Sequence, residues 1–167
     1  MRINIIIISF AAVIGLLFLI VSCDPSRVYE ENKKIPDYKW EIKSPLEFEV
    51  NITDTVNPHH VYLNVRHAGY YGFSNIYLFI DSWLPDGSYS RDTAEIILAT
   101  NDGKWMGDGL GDIWDNRALF KKNVLFPMSG TYRFKLTQAM RVNPLQGVMD
   151  AGIRIEKAGK KTNTSLK

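Results

Sequence analysis

The chain has 167 residues, a formal charge of +2, three histidines and one cysteine. So small a charge gives no electrostatic case for nucleic acid or an acidic partner, and a single cysteine excludes an intramolecular disulfide, leaving packing alone to hold the fold. Aromatic residues make up 12 %, which suits either a β-rich core or exposed stacking surfaces.

The N-terminus reads as a targeting segment. Met1 and Arg2 precede an apolar run from residue 5 to 21, and Ser22 stands before Cys23. A cationic start, an apolar stretch and a small residue at the break are the parts of a secretory signal. Residues 20–23 (IVSC) resemble a bacterial lipobox, which implies cleavage between Ser22 and Cys23 and lipid on the Cys23 sulfur and new amino group. Three other uses compete. A plain secreted protein needs no cysteine at that point. A retained signal-anchor helix of 17 residues would span about 26 Å, short of the roughly 20 residues that cross a bilayer. Free cysteine also packs in cores as a small hydrophobe. The lipoprotein reading is preferred: residues 1–22 as signal peptide, with membrane lipid the partner of Cys23.

Removing those residues leaves a chain long enough for one domain. Residues 23–45 are polar, charged and without period, and read as the lipidated cysteine followed by a tether; an export signal in Asp24, Glu30 and Glu31 is the functional alternative. A folded domain is expected over 46–157. Residues 46–52 (LEFEVNI) alternate apolar and polar, predicting a strand with one buried face. Asn57 and Pro58 mark a turn, and residues 61–67 alternate again. Residues 68–72 break the pattern as a loop, and 74–83 read as a central strand rich in β-branched and aromatic residues. Residues 85–88 (PDGS) supply turn chemistry. Residues 93–100 form the next strand, although Ala94, Glu95 and Ala99 leave a helix open. Asn101, Asp102 and Gly103 signal a hairpin turn. A loop with glycines at 107, 109 and 111 leads to a strand over 117–126. In 131–137, Tyr132, Phe134 and Leu136 share one face, and Arg133, Lys135 and Thr137 the other. Residues 152–156 form the last strand, and 158–167 read as a flexible C-terminal tail. Seven to nine short strands with turns between them predict an all-β antiparallel sandwich, with a jelly-roll connection favoured.

Chemistry is sparse. Asp108, Asp112 and Asp115 offer oxygens to calcium, but their spacing fits no EF-hand, and a glycine-shaped loop packed by Trp105, Ile113 and Trp114 is the preferred reading. His59, His60 and His67 read as surface turn residues, since adjacent strand positions point to opposite faces and zinc wants three or four converging ligands. Neither metal nor cofactor is expected. No nucleophile elbow, P-loop or zincin helix is present, so an enzyme has no support. Tyr70, Tyr71 and Trp83 flank loops and are the candidates for a ligand or partner contact, including sugar stacking.

Five stretches carry a family resemblance: residues 23–30 (CDPSRVYE), 73–80 (FSNIYLFI), 104–112 (KWMGDGLGD), 130–141 (GTYRFKLTQAMR) and 152–156 (GIRIE). Together they resemble the gliding-motility lipoprotein GldH family of the Bacteroidetes. The resemblance implies a non-enzymatic lipoprotein of the cell envelope needed for gliding, working with motility and type IX secretion proteins. It implies lipid anchoring to a membrane, the outer favoured and the inner not excluded, and it transfers no catalytic residue. The alternative is a surface glycan-binding sandwich.

Overall fold

The computed structural model describes residues 24–159. The expected signal sequence and Cys23 lie outside the described residues, as do residues 160–167 of the expected tail.

Eleven strands follow one another: β1 (Arg27–Lys34), β2 (Lys39–Trp40), β3 (Leu46–Ile52), β4 (His59–Ala68), β5 (Asn75–Trp83), β6 (Tyr89–Ile97), β7 (Asp108–Leu110), β8 (Ile113–Val124), β9 (Gly130–Gln138), β10 (Leu145–Gln146) and β11 (Val148–Lys157). They form a five-stranded sheet in the order β1-β11-β4-β8-β7, a four-stranded sheet in the order β3-β9-β5-β6, and a small β10-β2 pair. All pairs are antiparallel. If the eight long strands are counted in chain order, the two sheets read 1-8-3-6 and 2-7-4-5. That is the jelly-roll order, two interlocked Greek keys.

Alternation builds the core. Val61, Leu63 and Val65 of β4 and Ile153 and Ile155 of β11 face Phe48, Val50 and Ile52 of β3, Ile76, Leu78 and Ile80 of β5 and Tyr132, Phe134 and Leu136 of β9. These side chains lose nearly all contact with water. At roughly 1.5–3 kcal/mol for each large apolar side chain buried, this layer is the main force closing the sandwich. The β10-β2 pair seals one end with Trp40 and Leu145, and Trp40 Nε1 donates to the Ser44 carbonyl at 3.1 Å.

Several boundaries differ from those expected. Residues 27–34 and 39–40, read as part of the tether, lie in sheets instead, joined by a 3-10 turn at Pro36–Tyr38, because β1 pairs along β11 from Arg27 to Lys34 and β2 pairs with β10. Gly152 permits that pairing: a Cβ there would run into the Glu31 carbonyl and the Asn32 side chain. Residues 93–97 are strand, and β6 begins earlier, at Tyr89. Residues 108–115, expected as loop, form β7 and the start of β8. Here Gly107 takes φ +84, with the Asp115 carbonyl where its Cβ would be. The turn at Asn101–Gly103 forms, with Gly103 N–H donating to the Thr100 carbonyl at 2.9 Å.

Candidate functional site

Each sheet turns a patterned polar face outward. On the four-stranded sheet, register sets two cross-strand rungs: Arg91-Asp81-Lys135-Glu47 and Tyr89-Trp83-Arg133-Glu49. Asp81 lies fully buried at the centre. Arg91 donates to it twice, at 2.6 and 2.9 Å, Tyr89 Oη donates at 2.6 Å, and Lys135 Nζ lies at 3.4 Å. The Arg91 hydrogen bonds, helped by that of Tyr89, hold the carboxyl down at about 2. Trp83 packs on Tyr89 with ring centroids 5.2 Å apart, and Arg133 and Lys135 sit 5.6 and 5.3 Å from its ring. Cations over an indole face are attracted by the ring quadrupole. Beside them a groove of about 640 Å³ runs to Glu47, Glu49 and Lys33.

The five-stranded sheet carries three rungs: Glu30-Arg154-Tyr62, Asn32-Gly152-Asn64-Arg117 and Asp150-Arg66-Asp115. Arg154, 5 % exposed, is the buried centre. Its guanidinium donates to Asp24, Glu30 and Glu156. Glu30 also accepts from Arg117 at 2.9 Å and Asn64 at 3.1 Å. Arg66 bridges Asp115 at 2.6 Å and Asp150 at 3.3 Å. Burial raises the Asp150 carboxyl above its ordinary value in spite of Arg66. A hollow of about 600 Å³ opens over this face.

The three aromatic candidates part company. Tyr70 is 65 % exposed in the turn after β4. Tyr71, expected as a contact residue, is a core residue at 3 % exposure, packed on His67 and donating to the Asn75 carbonyl at 2.9 Å. Trp83 closes the other end of β5, whose nine residues extend roughly 26 Å at about 3.3 Å each. The three therefore form no common site.

Two histidines also sit where they were not expected. His59 and His67 are fully buried, because they share strand parity with Val61, Leu63 and Val65 and so face the core. That parity was readable in the sequence. Burial lowers the pKa of both. His67 keeps Nδ1 at 3.0 Å from the Ala68 carbonyl and lies 4.5 Å from the Trp105 ring, and His59 packs edge-on against Phe126 at 5.3 Å. His60 is partly exposed and accepts from the Asn123 N–H at 3.2 Å. Asp108 and Asp115 are cross-strand partners, and Arg66 takes Asp115. Among the described residues, no three His, Cys, Asp or Glu side chains converge as metal ligands.

The sequence profile of the GldH lipoprotein family matches residues 27–155, from the first strand to the last. The chain belongs to this family. The gliding motility lipoprotein GldH homolog of Christiangramia forsetii is 34 % identical over 149 residues, covering 85 % of this chain and 91 % of the relative. The gliding motility lipoprotein GldH of Flavobacterium johnsoniae is 33 % identical over 145 residues, covering 83 % and 89 %. Among solved structures, a fructofuranosidase of Schwanniomyces occidentalis (TM-score 0.38, 10 % identity) and the Gx strain of infectious bursal disease virus (0.36, 12 %) overlap 83 and 86 % of this chain. The chain spans about a third of each of theirs. Likeness that loose carries no argument about this GldH-family chain.

Proposed function

We propose that this protein is a gliding-motility lipoprotein: a non-enzymatic envelope component, acylated at Cys23 after cleavage behind Ser22, working beside the gliding and type IX secretion proteins. The observation that carries the reading is the match of nearly the whole sandwich to a lipoprotein family, in a chain where Cys23 directly precedes the folded part. The most buried carboxylates, Asp81, Glu30 and Asp150, are each paired with arginine or lysine, which suits structural roles for them. Two or more acyl chains give stable anchoring where one is marginal, with the outer membrane favoured.

The test is a clean deletion complemented with wild type or Cys23→Ala, scored for colony spreading and export of type IX cargo. Loss of both, restored by wild type alone, is expected. Normal spreading and export in the deletion strain would overturn the reading.

Trp83 favours a second reading, a glycan-binding face. An indole flanked by cations and opening on a charged groove suits a sugar ring stacked on the aromatic with its hydroxyls on charged groups. Calorimetric titration against a polysaccharide panel, with Trp83→Ala as control, decides it; silence across the panel removes it.

A further inference from the structure

We infer that the end of the sandwich where β1 begins lies directly against the bilayer that holds the acylated Cys23, with Val56 and Leu125 entering the lipid interface. This rests on the lipoprotein reading above. Asp24 follows Cys23 directly in the sequence, and Asp24 is fixed to the domain. Its Oδ1 accepts from Ser26 N–H at 3.0 Å and Ser26 Oγ at 2.6 Å, its Oδ2 accepts from the buried Arg154, and its carbonyl accepts from Arg27 N–H at 3.3 Å. A flexible tether of about 22 residues would let the domain range roughly 25 Å from its anchor. Here one peptide unit, about 3.8 Å between Cα atoms, separates the anchor from the pinned residue. The covalent attachment therefore selects which end of the molecule meets the membrane.

That end can be read off the pairing. Lys157 N–H donates to the Ser26 carbonyl and Ala158 N–H to the Pro58 carbonyl, each at 2.8 Å. Lys157 pairs with His59, and His59 with Val124. The 53–58 and 125–129 connections therefore surround the anchor point. Both present an apolar side chain on braced backbone. Asp54 accepts from Val56 N–H at 3.1 Å and Asn57 N–H at 3.0 Å, which holds Val56 out at 82 % exposure. Leu125, 59 % exposed, is followed by Phe126, which packs on His59 and on Tyr132 at 5.0 Å. Exposure alone does not choose this end, because Leu110 is 85 % exposed at the other. Leu110 lies beside Ile113, the partner of Ala68, and the ten residues of β4 put it roughly 30 Å away. The anchor decides between the two ends, and the strands then stand upright on the membrane.

The experiment uses the full acylated protein, reconstituted in phosphatidylethanolamine vesicles carrying a headgroup nitroxide. Val56→Cys, Leu125→Cys and Leu110→Cys each introduce one free thiol, since acylation occupies the Cys23 sulfur, and each takes an environment-sensitive fluorophore. Labels at 56 and 125 are expected to lose most of their emission and the label at 110 to keep it. Equal quenching at all three, or stronger quenching at 110, overturns the orientation. Intact mass reports acylation separately: a mass without acyl chains sinks the lipoprotein reading, whereas a correct mass with equal quenching sinks the orientation alone. A Gly/Ser linker of about ten residues between Cys23 and Asp24 is expected to erase the contrast. A contrast that survives the linker overturns the role of the pinned Asp24.

Discussion

The two outer faces solve one problem with opposite charges. On the five-stranded sheet a buried cation, Arg154, is surrounded by the carboxylates of Asp24, Glu30 and Glu156. On the four-stranded sheet a buried anion, Asp81, is surrounded by Arg91, Lys135 and the Tyr89 hydroxyl. The sources of the partners differ. Those of Asp81 lie on the strands flanking it, β6 and β9, so its network knits a sheet that pairing already holds. Two of the partners of Arg154, Asp24 and Glu30, come from the N-terminal segment, so its network fastens that segment to the sandwich. One face stabilises a sheet, and the other fixes how the chain enters the fold.

Arg154→Met should break this contrast most severely. It leaves the largely buried Glu30 and Glu156 carboxylates without their shared cation, while the more exposed Asp24 turns to water; removing one partner of such a cluster costs about 3 kcal/mol. Denaturant unfolding should show the loss as a lower midpoint. Hydrogen exchange should rise first over residues 24–34, before the rest of the sheet. Exchange rising evenly across both sheets would mean that Arg154 does not specifically hold the N-terminal segment.

Asp81→Asn should cost less, about 1–3 kcal/mol, because the unpaired arginine and lysine can turn to water while the amide keeps part of the hydrogen bonding. It also has a pH signature. Asp81 titrates at about 2 in the fold against an ordinary 3.8. A folded value below the unfolded one means stability that is complete above about pH 4 and lost as pH falls from there towards 2, worth about 2 kcal/mol in all. Urea midpoints measured from pH 5 to pH 2 should fall more steeply in the wild type than in Asp81→Asn. Parallel profiles would remove Asp81 from the acid response.

These networks also explain what the sequence could and could not disclose. Strands β3 and β9 were legible because one face of each is apolar and the other wet: Phe48, Val50 and Ile52 alternate with Glu47, Glu49 and Asn51. Strand β1 was not. Its outward Glu30 and Asn32 bond to Arg154, Arg117 and Asn64, its other face carries Tyr29, Glu31 and Lys33, and a strand with charge on both faces leaves no hydropathy period. The Asp81 cluster was closer to reach. The turn at residues 85–88 was readable, and folding the chain about it sets Asp81 opposite Arg91. Lys135 arrives from β9 through a long-range pairing that local pattern does not encode. The same limit explains Tyr71: adjacent to an exposed Tyr70, it is carried into the core by the packing of His67 and Trp105.

The smallest expected effect separates the two faces as surfaces. Trp83 is partly buried at the rim of its sheet and makes its contacts with Tyr89, Arg133 and Lys135, not with the apolar layer. Exposed cation–π contacts contribute about 0.5–1 kcal/mol each, so losing the two at Trp83 in Trp83→Ala should lower stability by about 1–2 kcal/mol. Differential scanning calorimetry would read this as a smaller shift in Tm than that of Arg154→Met. A loss as large as that of Arg154→Met would make Trp83 a structural support and weaken the case for a binding face. The smaller loss would leave the indole and its two cations held at the groove with little role in folding, as a surface kept for a ligand requires.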